Sequence, residues 1–195
     1  MRDSMSLPLV ERFWPAAGAA QQAARAVALI AAGSLLLYAS AKTAVPFWPV
    51  KMSMQTLAVV LIGATYGSRL GVATLLAYLA EGALGLPVFQ GTPERGIGLA
   101  YMMGPTGGYL LGFVLAAALI GFVVERGYAR SLPAIALAAL AAHAVIDGFG
   151  VAWLSVLFGF EKAVAVGLLP FLLGDLLKAA LATALIMAMR PRAAR

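Results

Sequence analysis

Long apolar runs, separated by short polar or glycine- and proline-containing segments, dominate the pattern along this chain. An α-helix needs roughly 20 mostly apolar residues to cross the hydrocarbon core of a bilayer. The runs predict spans at residues 23–41, 57–66, 70–86, 109–124, 132–158 and 163–189. We therefore expect an all-α integral membrane protein with six transmembrane helices. Its parts would be an N-terminal segment (1–22), one membrane domain (23–189) and a basic tail (190–195).

Two of the interruptions are too rich in proline and glycine to be simple helical connections. The first, "VPFWPVKMSMQT" at residues 45–56, contains Pro46 and Pro49, which cannot continue a helix. The second, "PVFQGTPERGIGLAYMMGPTGG" at residues 87–108, is longer than most loops between packed helices. We expect both loops to be functional, and the first to dip partly into the membrane.

Composition supports a membrane protein and excludes several other classes. Hydrophobic residues make up 63% of the chain and charged residues 11%, against about 25% charged residues in a soluble domain. The absence of cysteine excludes disulfides and thiolate metal sites. Neither a GxxxxGK[ST] phosphate loop nor a Gly-x-Ser-x-Gly nucleophile motif occurs. We therefore expect no enzymatic activity and no ATP hydrolysis by this chain itself.

The net charge of +6 is better explained by topology than by a nucleic-acid partner, because the basic residues lie mainly where spans end. Nine of them fall on the side of both termini in the six-span arrangement: Arg2, Arg12, Arg25, Arg69, Arg126, Arg130, Arg190, Arg192 and Arg195. Four fall on the other side: Lys42, Lys51, Arg95 and Lys162. This excess of basic residues on the side of the termini predicts that both termini are cytoplasmic and that the two long loops face outward.

Asp175 and Lys178 lie within the apolar stretch "LLPFLLGDLLKAALATALIMAM". A charged side chain at the bilayer centre costs about 2.5 to 3.5 kcal/mol, so such residues usually face a cavity. In a helix beginning near Ala163, Asp175 would lie about 18 Å along the axis, on the same face as Lys178. The pair offers an acceptor and a strong donor to a small polar ligand. The alternative is an internal ion pair that only neutralises two charges.

Three further polar residues within the predicted spans leave alternatives open. His143 and Asp147 are four residues apart, which is compatible with a proton relay, half of a metal site or hydrogen-bonded packing. One histidine and one aspartate are too few metal ligands, so we expect no metal site. Glu81 either reaches the outer interface or lines a pocket.

Ala24, Ala28 and Ala32 recur every four residues along the first span. Small residues at this spacing allow two membrane helices to approach closely. The pattern indicates a partner helix, with internal packing or chance in an alanine-rich chain as the alternatives.

Four segments resemble one known family in both order and spacing: "PVKMSMQTLAVVLIGATYGSRLG", "YLAEGALGLPVF", "GPTGGYLLGF" and "GDLLK". The family is BioY, the biotin-specific substrate-binding (S) subunits of energy-coupling-factor (ECF) transporters. The resemblance implies a six-helix protein of the inner or plasma membrane that captures biotin from outside with high affinity, in a pocket closed by the two long loops. It also implies partners, namely a transmembrane coupling (T) protein and two cytoplasmic ATPase subunits.

The resemblance further assigns roles to individual residues. It places Asp175 and Lys178 in the biotin pocket, and Ala28 and Ala32 on the surface that meets the coupling protein. The ureido ring of biotin has two N–H donors and one carbonyl acceptor, which suits an acid beside a base. Candidates for the apolar walls are Phe47, Trp48, Met54 and Tyr109, with Gln55 and Gln90 as further hydrogen-bonding groups. Biotin would be a transported ligand, and no cofactor is expected.

A second function stays open at this point. A stand-alone secondary transporter of the vitamin, coupled to protons, would use His143, Asp147 and Glu81 and would need no ATPase.

Overall fold

The computed structural model describes residues 10–11, 14–45, 52–128 and 131–189. Within these ranges, seven helices and one short antiparallel pair of strands have defined bounds. The helices are α1 (Ala19–Lys42), α2 (Gln55–Ala83), α3 (Gly98–Met102), α4 (Gly107–Glu125), α5 (Leu132–Phe158), α6 (Phe160–Gly167) and α7 (Leu172–Ala188). The strands are β1 (Ala44–Val45) and β2 (Met52–Ser53), with Ala44 opposite Ser53 and Val45 opposite Met52.

Four of these helices, α1, α2, α4 and α5, are long and apolar enough to cross a membrane. A fifth span results if α6 and α7, which meet at an angle of 51°, are counted together. The surface carries many exposed leucine, valine and phenylalanine side chains. The protein is therefore a multi-pass membrane protein, and the prediction of an all-α membrane fold is confirmed.

Helix α2 is a hairpin of two arms, residues 55–66 and 68–83. Gly67 has φ 83° and ψ 174°, a conformation that other residues rarely adopt. The side-chain amide of Gln55 donates to the Tyr78 hydroxyl at 2.8 Å, although a straight helix would place these residues about 34 Å apart. The two arms therefore run antiparallel and lie against each other.

Glu125, at the end of α4, holds the start of the second arm. Its carboxylate accepts a hydrogen bond from the Ser68 backbone N–H at 2.8 Å and another from the Ser68 hydroxyl at 2.7 Å. The first N–H groups of a helix have no partner within the helix, so this carboxylate satisfies one of them. The sequence predicts spans at residues 57–66 and 70–86, with a connection between them; the structure confines the reversal to Gly67, because Ser68 already begins the second arm.

The last predicted span is not one continuous helix. Helix α6 ends at Gly167, residues 168–171 form turns, and α7 begins at Leu172. Pro170 lacks the backbone N–H that a continuing helix would need. Asp175 therefore lies in the first turn of α7, and the estimate of about 18 Å along an unbroken helix is wrong.

Helix α4 packs against both arms of α2 and against α5. Glycines allow these close approaches. A Cβ atom on Gly63 would lie 2.6 Å from the Ala117 carbonyl oxygen, and one on Gly112 would lie 2.8 Å from the Ile146 Cα atom. The fully buried side chains form one core to which α1 and α7 also contribute. They include Leu37, Val59, Ile62, Leu75, Ile120, Ile135, Ile146 and Ile186.

We expect Gly63→Ala to lower the melting temperature in detergent, because its methyl group would meet the α4 backbone, which cannot move aside as a flexible side chain would. Overpacking of this kind costs about 1 to 3 kcal/mol. Gly148→Ala in α5 is the matched control, since no heavy atom lies within 4 Å of its added methyl group. It should leave the melting temperature unchanged or raise it. Equal melting of Gly63→Ala and the parent would contradict the close packing of α2 on α4.

Candidate ligand-binding site

One cavity of about 760 Å³ lies among the first arm of α2, helices α4 to α7 and the loop after α2. This volume falls within the range of about 300 to 1,000 Å³ that is usual for small-molecule sites. Five residues predicted from the sequence line it: Gln55, Gln90, Tyr109, Asp175 and Lys178. The cavity therefore joins groups that are far apart in the chain.

The other predicted wall residues lie elsewhere. Met54 does not line the cavity; its half-buried side chain packs against the hydrophobic core. Met52 of β2 lines the cavity instead, and the end of its side chain lies against Gly174 of α7, where an added Cβ atom would force it to shift. Phe47 and Trp48 lie outside the described residues.

Asp175 and Lys178 form a buried ion pair in the cavity wall. The side chains of Asp175 and Lys178 are 9% and 10% exposed, and the Lys178 ammonium lies 3.0 Å from Asp175 Oδ1. The ammonium also donates to the Thr56 hydroxyl of the first α2 arm at 2.9 Å. Asp175 Oδ2 is buried and has no hydrogen-bond partner among the described residues. Buried polar atoms are normally hydrogen-bonded. The pair therefore still offers one acceptor oxygen to a ligand.

Asp175 lies in the first turn of α7, and the N-terminal end of a helix carries partial positive charge. Tyr109 supports the bend that creates this helix start. Its hydroxyl donates to the Gly167 carbonyl at 2.5 Å, which ties α4 to the last residue of α6. The break before α7 thus brings a helix N-terminus to the cavity.

Gln55 belongs to a chain of hydrogen bonds that joins the α2 hairpin to the following loop. Its amide donates to the Tyr78 hydroxyl, which in turn donates to the Val88 carbonyl at 2.8 Å. Gln55 is 4% exposed. One N–H group of the Gln55 amide is therefore used within the protein, while the side-chain carbonyl takes no part in this series of hydrogen bonds.

Several contacts hold the loop that carries Gln90 over the cavity. The Gln90 backbone carbonyl accepts from the Tyr101 hydroxyl at 2.7 Å. Burial raises the pKa of the Tyr101 phenol above its ordinary value, so this donor keeps its proton. The Phe89 ring stacks on Tyr101 with centroids 5.0 Å apart and meets the edge of Tyr78 at 5.4 Å. The loop is thus packed onto the bundle by aromatic contacts.

Lys42, at the end of α1, makes three hydrogen bonds to this loop. Its ammonium donates to the Phe89 carbonyl at 3.0 Å, the Thr92 carbonyl at 2.7 Å and the Thr92 hydroxyl at 3.0 Å. Lys42 also lines the cavity. From the sequence, Lys42 is only a basic residue at the end of a span. No local pattern predicts its contacts with Phe89 and Thr92, which lie about fifty positions further along the chain.

The predicted relay residues do not come together. His143 is buried but does not line the cavity; its Nδ1 donates to the Ala139 carbonyl at 2.9 Å. Glu81 accepts a hydrogen bond from Ser34 of α1, away from the cavity. Asp147 does line the cavity, although nothing in the sequence separates it from His143. Among the described residues, no group of three or more possible metal ligands occurs.

Ala28 and Ala32 are exposed on the surface of α1, as is Ala24. The buried side of this helix is made by other residues, including Gly33, Ser34 and Leu37. No described residue therefore covers the small-residue face of α1.

This fold and this cavity define a multi-pass membrane protein with a small-molecule site between its helices. The model of the BioY family matches residues 12–195. The chain belongs to the BioY family, and the resemblance seen in its four sequence motifs is confirmed.

Curated relatives cover most of the chain. A protein of Pyrococcus horikoshii named "Probable biotin transporter BioY" is 38% identical over 167 residues, which make up 86% of this chain and 96% of the relative. The "Biotin transporter BioY" of Thermotoga maritima is 34% identical over 165 residues, or 83% of this chain and 94% of the relative.

A solved structure has the same fold. It is described as the crystal structure of the S-component for biotin from an ECF-type ABC transporter. The TM-score is 0.75 at 24% identity, over 90% of this chain and 96% of that one.

Proposed function

We propose that this protein is the biotin-binding S subunit of an ECF-type ABC transporter, a non-enzymatic subunit that captures biotin and delivers it with its partners. The observation that carries the proposal is the buried Asp175–Lys178 pair, which lies in a cavity of suitable size and keeps one carboxylate oxygen free. The names of the curated relatives support the same ligand.

The cavity chemistry suits biotin. A carboxylate oxygen accepts a ureido N–H, and an ammonium donates to the ureido carbonyl. Apolar side chains in the same wall, including Phe113, Leu154 and Phe171, suit the thioether ring and the aliphatic chain. Phe47 and Trp48 remain candidates for the loop that closes the pocket.

We further propose that six segments cross the membrane and that both termini are cytoplasmic. The hairpin in α2 supports the count, because each arm then crosses once. The remaining crossings are α1, α4, α5 and the bent α6–α7 pair. The excess of basic residues on the side of the termini supports the orientation. Both loops at the cavity would then face outward, towards the biotin supply.

The proposed partners are a transmembrane coupling protein and two cytoplasmic ATPase subunits. The chain contains no phosphate-binding loop, so uptake against a gradient needs energy from elsewhere. The exposed alanines of α1 suit close contact with a partner helix. The stand-alone, proton-coupled alternative has less support, since Glu81 is engaged by Ser34 away from the cavity.

The direct test is calorimetric titration of the purified protein in detergent with biotin, desthiobiotin and thiamine. We expect biotin to bind with a dissociation constant below about 1 μM, equivalent to about −8 kcal/mol. Desthiobiotin keeps the ureido ring and should bind more weakly than biotin but measurably. Thiamine is the control and should not bind. Failure of biotin to bind, or equal binding of thiamine, would remove the proposed function.

A further inference from the structure

Asp147 of α5 is a second buried carboxyl group in the cavity. The proposed contacts of biotin with Asp175 and Lys178 do not involve it. It is 9% exposed and lines the same cavity as Asp175 and Lys178. The ion pairs among the described residues are Arg25–Glu11 and Lys178–Asp175, so Asp147 has no cationic partner there. His143, one helical turn earlier, donates to a backbone carbonyl instead. Asp147 is therefore not engaged by the neighbour that the sequence pairs with it.

The residues that line the cavity thus include two carboxyl groups, on α5 and α7, and the Lys178 ammonium group. Lys178 is already bound by Asp175 and Thr56. Asp147 and Asp175 line the same cavity, and Asp175 Oδ2 is buried without a hydrogen-bond partner among the described residues. Asp175 therefore presents one buried acceptor to the cavity, and Asp147 adds a second carboxyl group from a different helix. Leaving buried acceptors unsatisfied is costly, so a ligand rich in N–H groups is the expected occupant.

We propose that Asp147 is a specificity-determining residue of this site, which accepts one N–H of a cyclic urea while Asp175 accepts the other. This inference rests on the proposed function and deepens it. The two N–H groups of a cyclic urea flank its carbonyl and diverge, so a single carboxylate cannot accept both with good geometry. Acceptors on α5 and α7, together with the Lys178 ammonium as a donor to the carbonyl, suit that donor–acceptor–donor pattern.

The test measures binding of biotin and of its two N-methyl derivatives, each blocked at one ureido nitrogen. A hydrogen bond to a charged group contributes about 1.5 to 3 kcal/mol, or roughly 10- to 150-fold in affinity. The parent should therefore bind both derivatives at least about tenfold more weakly than biotin. In Asp147→Ala, biotin affinity should fall by about 10- to 100-fold, and the preference for biotin over one of the two derivatives should disappear. Asp175→Ala should remove the preference over the other derivative.

Glu161→Ala is the matched control, because Glu161 is exposed on α6 and does not line this cavity. It should bind all three compounds like the parent. Unchanged biotin affinity in Asp147→Ala, or an equal loss for all three compounds, would overturn the role of Asp147 and leave the proposed function standing.

The parent protein alone provides a test that does not depend on the folding of a variant. If it binds either N-methyl derivative as tightly as biotin, two separate acceptors are not needed and the inference falls. If it binds no biotin at all, the proposed function fails, and the inference fails with it.

Discussion

Lys178→Ala is expected to weaken biotin binding by at least about a hundredfold and to destabilise the protein as well. The variant removes the proposed donor to the ureido carbonyl and leaves the Asp175 carboxylate buried without its cation. Breaking a buried pair by removing one partner costs about 3 to 5 kcal/mol. The measurements are calorimetric titration with biotin and the melting temperature in detergent without ligand.

A double variant separates a ligand site from an ion pair that only neutralises charge. In Asp175→Leu/Lys178→Met neither charge remains, and replacing a buried pair by apolar groups is often neutral or stabilising. We expect this variant to recover the parent melting temperature without recovering biotin binding. Recovery of both properties would show that the pair is structural and that biotin binds without it.

Lys162→Met serves as the matched control for the loss of a lysine. Lys162 is exposed on α6, with its ammonium 5.3 Å from the centre of the Phe158 ring, and it does not line the cavity. The control should retain both biotin binding and stability. A similar loss of binding in Lys162→Met would point to a general effect of lost positive charge rather than to the site.

Ala32→Trp is expected to abolish ATP-driven biotin uptake in membranes that contain the coupling protein and ATPases, while biotin binding by the purified subunit stays unchanged. Ala32 is exposed on α1, so a larger side chain can extend from the surface without entering the core. Helices that pack through small residues approach closely, and a large side chain at the contact holds them apart. We expect uptake to fall by about tenfold or more, equivalent to about 1.4 kcal/mol or more of lost coupling.

Ala28→Trp should behave in the same way, because it lies one turn away on the same face of α1. Ala141→Trp is the matched control, since Ala141 is an exposed alanine on α5 rather than on the proposed coupling face. It should bind and transport biotin like the parent. If the α1 variants lose binding together with uptake, these alanines serve internal packing; if they transport normally, the coupling surface lies elsewhere.

The site was only partly predictable from the sequence. Asp175 and Lys178 stood out because charged groups are rare in an apolar run and their spacing places them on one helix face. Gln55, Gln90 and Tyr109 were predicted from the resemblance, and all three line the cavity. The sequence predicts that Met54 lines the cavity, whereas Met52 does so in the structure. An irregular loop has no helical or strand periodicity from which the inward-facing methionine could be identified. Lys42 and Asp147 were missed, since their cavity-facing positions depend on distant parts of the chain.

The amino-acid sequence is sufficient to establish a multi-pass, all-α membrane protein, the helix-breaking segments and one charged helix face. These properties follow from local apolarity, from the backbone limits of proline and glycine, and from helical spacing. Only the tertiary structure places the reversal of α2 at a single glycine, breaks the last span before Asp175, and brings Lys178 to Thr56, 122 residues away in the chain. A cavity is formed by contacts between distant segments, and no local pattern encodes which side chains meet there.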